Sequence, residues 1–320
     1  MRERERGAKG ISMAASVKRA QLAPGTRHPV FSSFAGRQAL WGYLLVLPIC
    51  LVLFGLVAYP FVYSIYISFT DRVVGNPGHF VGLQNFQFLL NWPSFNRAVT
   101  NTITLVVVSD GLKLFIGLGL ALLLNAKLKG RNFFRSFILL PWAMPSFVAF
   151  LTWRLLFQPL GGGINLILTD LHLVSAPINW LGQKSTAMPA VIIATVWRGF
   201  PFWVVNFLAA LQNVPQEQYE AARTDGATVW QQFRFITIPS IRHVVLIVTL
   251  LSSIWTANSF ENIWIMTQGG PSDSTMVFPV LAYFGLASQR LGEAAAVSVA
   301  LIPALAILVF IVANLLHTED

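Results

Sequence analysis

Two groups of residues in this chain have types and spacings that could do chemistry. The first is QYEAARTDG, residues 218–226. Pro215 opens this stretch, and Glu217 and Glu220 fall three apart, on one face of a helix. Acidic residues in a first turn favour helix initiation through the macrodipole. Ala221 and Ala222 are small, strong helix formers that admit a close partner surface. Asp225 precedes Gly226, where a sharp turn is allowed because no side chain clashes. A short helix with projecting carboxylates and a glycine behind it suits insertion into a groove on another protein. An ordinary amphipathic connection between two helices fits the spacing equally well. Trp230, Phe233 and Ile236 follow at spacing three, an apolar stripe expected to anchor the element, and Pro239 is expected to end it.

The second group is polar and lies inside apolar segments, where ionisable residues are costly and face a cavity or a partner. Asp110 and Lys113, three apart, can neutralise each other on one helical face, or line a pathway. Arg154 and Arg198 either face inward or snorkel to an interface. Trp255, Asn258 and Asn262 fall at spacing three then four, with Glu261 beside them. Amides that hydrogen-bond hydroxyls, next to an aromatic ring that covers an apolar face, are what a sugar needs. Packing within a helical bundle is the alternative, and tryptophan also belongs to interfacial belts. Asn206, eight residues after Arg198, joins this group on the same face.

Other chemistries find no support. Cys50 is the single cysteine, so neither a disulfide framework nor a cysteine metal cluster is available. No His-Glu-x-x-His or Gly-x-Ser-Gly occurs, and no histidine sits well inside an apolar segment. GGGINL, residues 161–166, lacks the Gly-Lys-Ser/Thr of a phosphate loop. No catalytic residue, metal or bound cofactor is therefore expected on this chain.

The elements that must position these residues are membrane helices. Of 320 residues, 55% are hydrophobic and 11% charged, against about 25% charged in soluble domains. Six apolar segments reach bilayer length: Leu40–Phe69, Arg97–Ala126, Phe133–Phe157, Met188–Leu211, His243–Met266 and Glu293–Leu316. Lys and Arg set the orientation. With the N-terminus inside, inner segments hold 15 basic residues, counting Lys127, Lys129, Arg131, Arg135, Arg223, Arg234 and Arg242, while outer loops hold only Arg72, Lys184 and Arg290. Both termini are thus expected in the cytoplasm. The formal charge of +9 reads as topology and not as nucleic-acid binding. Residues 1–38 read as a disordered basic cytoplasmic tail, with an amphipathic segment on anionic lipid as the alternative. Residues 39–316 form the membrane domain, with the connection 212–242 inside it, and residues 317–320 close the chain. No internal repeat of the kind seen in many secondary transporters is evident.

Four ordered stretches carry a family resemblance over most of the chain. Glu220-Ala221-Ala222, then Gly226, then Ile236, then Ile238-Pro239 resembles the pattern Glu-Ala-Ala, three residues, Gly, nine residues, Ile, one residue, Leu-Pro, with Ile238 for leucine. Its lead-in is NVPQEQYEAARTDGA. FVGLQNFQFLL (Phe80–Leu90) and WIMTQGGPSDSTMVFPVLAYFGLAS (Trp264–Ser288) match two further segments. The chain is similar to the permeases of binding-protein-dependent ABC importers, and within them to the maltose-type carbohydrate uptake subfamily. The resemblance implies an all-α, six-helix type I importer permease in a bacterial or archaeal inner membrane. Its implied partners are a second homologous permease, a dimer of ATPase subunits that bind ATP and Mg, an extracytoplasmic solute-binding protein and membrane lipid. It also implies that Glu217–Gly226 is a coupling helix docking on the ATPase, with Glu220 facing a basic residue there. An ion-coupled secondary transporter is the rival reading.

Overall fold

A computed structural model describes residues 34–126 and 129–317. Most of the tail expected over 1–38, together with Lys127 and residues 318–320, lies outside the described residues. Contacts divide the chain into two compact units, Met1–Val62 and Tyr63–Asp320. In the first, α1 (Phe34–Val52) runs through a π turn at Leu53–Ala58 into α2 (Tyr59–Ser68), which crosses the boundary between the units. Trp41–Ser68 thereby forms one apolar helix of membrane length.

The second unit contains α3 (Gln84–Asn91), α4 (Pro93–Asn125), the pair α5 (Arg131–Ala143) and α6 (Ser146–Leu156), and α7 (Gly163–Asp170). It continues with α8 (Lys184–Gln212), α9 (Gln216–Thr224), α10 (Val229–Gln232), α11 (Ile238–Ala257), α12 (Glu261–Met266), α13 (Phe278–Ala287) and α14 (Leu291–His317). Among the described residues, five helices are long and apolar enough to cross a bilayer, or six if α5 and α6 together make one crossing. The expected third span is not straight. It bends by 90° between α5 and α6, where Pro145 holds Met144 extended at ψ 139°.

Two further boundaries differ from expectation. Pro239 does not end the second helical piece, because α10 passes through a π turn at Phe233–Thr237 directly into α11. The Ile238 N–H reaches back to the Phe233 carbonyl, a wider turn that accommodates the proline next to it. The same device precedes Pro60, where the Tyr59 N–H bonds the Phe54 carbonyl. The expected fifth span, His243–Met266, also shifts: the apolar helix runs Val229–Ala257 and stops there.

At the centre of the second unit α4 and α8 share the most extensive interface. A Cβ on Gly117 would lie 2.6 Å from the Cβ of Trp203, and one on Gly199 would lie 2.8 Å from the Lys113 Cε. Small residues at such points let membrane helices approach closely. The pairing of 113 with 199 and of 117 with 203 shows that α4 and α8 run parallel. Two apolar cores stack along them. One gathers Leu105, Val191, Ala194, Ile263 and Val280; the other gathers Ala121, Trp203, Phe207, Ile241 and Val248. Between them, at the level of Lys113 and Gly199, lies a polar layer.

Candidate functional site

The polar layer is built by three helices. Asp110 and Lys113 of α4 form an ion pair at 3.1 Å, and both are buried. From α11, Ser252 and Ser253 each donate to one carboxylate oxygen of Asp110 at 2.7 Å. The Lys113 ammonium donates to Thr256 Oγ1 at 3.0 Å. From α8, the Trp203 indole N–H donates to Ser252 Oγ at 3.2 Å. Three partners around one carboxylate offset its desolvation, which a bare ion pair in this setting would not achieve. Lys113 is an ion-pair partner and also lines a cavity, whereas Asp110 is not among the residues that line it.

That cavity measures about 440 Å³, inside the range of about 300–1,000 Å³ typical of small-molecule sites. Five residues singled out by type and spacing line it: Arg198, Trp255, Asn258, Glu261 and Asn262. They do not get there by sharing one helical face. Trp255 lies in the last turn of α11, Asn258 caps it, and Glu261 and Asn262 start α12, so a helix end and the start of the next turn them toward the cavity. The shared-face reading is corrected on this point. Asn206 does not join them: it is not among the lining residues, and its amide donates back to the Phe202 carbonyl at 2.7 Å.

Each lining group has a distinct setting. Asn262 is fully buried and donates to Thr195 Oγ1 at 3.0 Å, which fixes its amide. Asn258 is exposed and bonds the Ile254 carbonyl. Trp255 packs edge-on to Phe202 at 5.0 Å. Arg198 has a buried Nε with no hydrogen-bond partner. Arg154 is exposed, donates from Nη1 to the Ile265 carbonyl at 3.1 Å and does not line the cavity. Sequence reasoning missed Trp142 and Phe150, which the bend between α5 and α6 carries to the cavity. Only the prolines at 141 and 145 hinted at that bend. It also missed Thr195, one turn before Arg198.

The connection 213–228 holds the other group. In α9, Glu217, Glu220 and Ala221 are exposed and Ala222 is half-buried. The helix closes in a Schellman arrangement: the Ala227 N–H bonds the Ala222 carbonyl at 2.8 Å and the Gly226 N–H bonds the Arg223 carbonyl at 3.1 Å. Gly226 supplies the left-handed residue this closure needs, at φ +79°. Thr228 and Gln231 then form a capping box that starts α10. Ala222, Asp225 and Gly226 line one wall of a concavity of about 340 Å³, with Gln231 and Phe235 opposite. The anchoring stripe is only partly realised: Phe233 and Ile236 are half-buried, but Trp230 is 66% exposed.

At the far end of α4, the loop after α12 is bonded to the bundle. Asn101 donates to the carbonyls of Asp273 and Met276, both at 2.9 Å, and Ser94 to Asp273 Oδ2 at 2.7 Å. Within residues 161–166, Asn165 is buried and organises its loop through Gln158, Ile178 and Trp180, a purely structural task.

The family profile "Binding-protein-dependent transport system inner membrane component" matches residues 113–318. The trehalose/maltose transport system permease protein MalF of Thermococcus litoralis is 36% identical over 261 residues, covering 81% of this chain and 88% of its own. The lactose transport system permease protein LacF of Rhizobium radiobacter is 34% identical over 247 residues, covering 76% and 82%. Among solved structures, a chain of a bacterial ABC transporter involved in the import of the acidic polysaccharide alginate superposes with a TM-score of 0.76 at 20% identity, over 89% of this chain and 97% of that one. The cavity ringed by α4, α8 and α11 and the projecting α9 therefore sit in a multi-pass membrane protein that belongs to the inner-membrane permease components of binding-protein-dependent transport systems.

Proposed function

We propose that this permease moves a sugar or related polyol through the cavity by alternating access, driven by ATP on a partner subunit. The observation that carries the reading is one of connection. α9 is spliced between α8 and α11, and these two helices bring Arg198, Trp255 and Asn258 to the cavity. A rigid-body push on α9 is thus passed toward the cavity walls through two short connections, 213–215 and 225–228.

The polar groups at the cavity suit hydroxyls: the amides of Asn258 and Asn262, the guanidinium of Arg198 and the carboxylate of Glu261, beside the rings of Trp255 and Phe202. Relatives named for trehalose, maltose and lactose support a carbohydrate. The partners that complete the machine are a second homologous permease, two ATPase subunits carrying ATP and Mg, and an extracytoplasmic binding protein. Glu217, Glu220, Ala221, Ala222, Asp225 and Gly226 form the surface offered to the ATPase.

The test is uptake by the purified complex in proteoliposomes, with ATP inside and radiolabelled maltose, trehalose and lactose supplied with the cognate binding protein. ATP-dependent uptake of a sugar is expected, with loss in Glu220→Lys and Gly226→Asp. Gly226 has open space about its Cβ position, so an aspartate there meets no neighbour, though at φ +79° it strains the helix closure by about 1–2 kcal/mol. Glu220 is exposed on a helical face, so Glu220→Lys tests the docking without that strain. Wild-type uptake in both variants, or uptake indifferent to ATP, overturns the reading, and the latter favours an ion-coupled carrier.

A further inference from the structure

We infer that a groove between α5 and α8 is a binding site for an anionic phospholipid. It is separate from the central cavity, measures about 270 Å³, and has Leu124 of α4 as its floor. Its long walls are apolar: Ile138 and Leu139 on α5, Val205 and Leu208 on α8. Its end is polar, where Arg135 of α5 meets Gln212, the last residue of α8. From Val205 to Gln212 the helix rises about 10 Å, so the groove passes from a polar end at a helix terminus to an apolar end within the bilayer. A lipid headgroup and the upper part of its acyl chain have that same polarity.

The charge points to an anion. The Arg135 Nε is buried without a hydrogen-bond partner, and Nη2 makes only a long contact of 3.5 Å to the Leu124 carbonyl. Arg131, four residues earlier on the same face of α5, and Lys129 are exposed beside it. No Asp or Glu occurs in α5 or α8, and the one acid of α4, Asp110, lies 14 residues before Leu124 and is paired with Lys113, so the helices that build the groove leave Arg135 without a counter-ion. A phosphate would accept from the guanidinium as a charge-assisted pair, and basic pockets between membrane helices are known to take such headgroups. Phe134 and Phe137, on the open side of α5, are more than half exposed, as expected of a face that meets lipid. Gln212 lies four residues before α9, so an occupied groove braces the base of the connection at 213–228.

Native mass spectrometry of the complex purified through this chain tests the site. The probes are phosphatidylglycerol and phosphatidylcholine with identical acyl chains, added in equal amounts. The wild type is expected to hold one phosphatidylglycerol with about a fivefold preference, the weight of one basic group facing an anionic headgroup. Arg135→Gln is expected to bring the preference to parity. So is Val205→Trp, which fills the groove and leaves the guanidinium intact. Lys184→Gln, at the opposite end of α8, should keep the preference. No preference in the wild type, or its retention in both groove variants, overturns the site. If Arg135→Gln does not assemble, Val205→Trp decides by the same two outcomes. A cysteine at position 205 that cross-links to a co-purifying subunit makes the groove a protein contact and overturns the proposal as well.

Discussion

At the residue scale, Asp110 is the side chain on which the polar layer depends. It accepts from Lys113, Ser252 and Ser253 at 2.7–3.1 Å, so its removal strands a buried ammonium and two hydroxyls at once. Breaking a buried pair from one side costs about 3–5 kcal/mol. Asp110→Ala is therefore expected to lower the thermal unfolding midpoint of the detergent-solubilised complex sharply. Asp110→Leu combined with Lys113→Met removes both charges in similar volume and should return close to wild type. Equal losses in the single and double variants would mean that the cost lies in the stranded hydroxyls of Ser252 and Ser253 and not in the unpaired ammonium. The ion pair was legible from spacing alone. Its hydroxyl partners were not, because Ser252, Ser253 and Thr256 lie more than a hundred residues away and read as ordinary small residues of a membrane helix.

At the scale of the element, α9 was the most legible part of the chain, since its determinants are local. Proline at the start, acids in the first turn, small residues and a terminal glycine specify a short, closed helix without help from the rest of the fold. Gly226 carries a specific cost. Its φ of +79° is left-handed, where a Cβ costs about 1–2 kcal/mol, and no neighbour lies within 4 Å to add a steric term. Gly226→Ala should speed hydrogen exchange at the amides of Gly226 and Ala227, which close the helix, while Gly226→Asn should show a smaller rise because asparagine tolerates this region. Identical exchange in all three proteins would show that the turn is imposed from outside the element. The two misjudged boundaries have the opposite cause. A π turn before Pro239 and a helix end at Ala257 depend on how α11 packs against α4 and α8, and hydropathy is blind to both. The cavity residues were found despite the wrong helix end, since their types survived the change of geometry.

At the scale of the whole molecule, orientation joins the sequence to the bundle. Because α4 and α8 run parallel, their ends coincide: Lys129 and, at the start of α5, Arg131 and Arg135 follow one, and Arg223 and Arg234 follow the other. Lys184 and the loop held by Ser94 and Asn101 lie at the opposite end. Two basic clusters far apart in sequence thus share one membrane face, the arrangement produced when basic loops are retained in the cytoplasm. The expectation is that residues 213–228 face the cytoplasm and residues 268–273 face outward. Cys50 is the single cysteine, so a Cys50→Ala background gives clean reporters. A cysteine at Gln218 should react with an impermeant maleimide only after the cells are permeabilised, and one at the exposed Ser272 should react in intact cells. The reverse pattern would put α9 on the wrong side for any cytoplasmic ATPase. The same labels measure coupling, because a docked partner shields position 218, and adding Glu220→Lys should restore its reactivity in permeabilised cells without changing that of position 272.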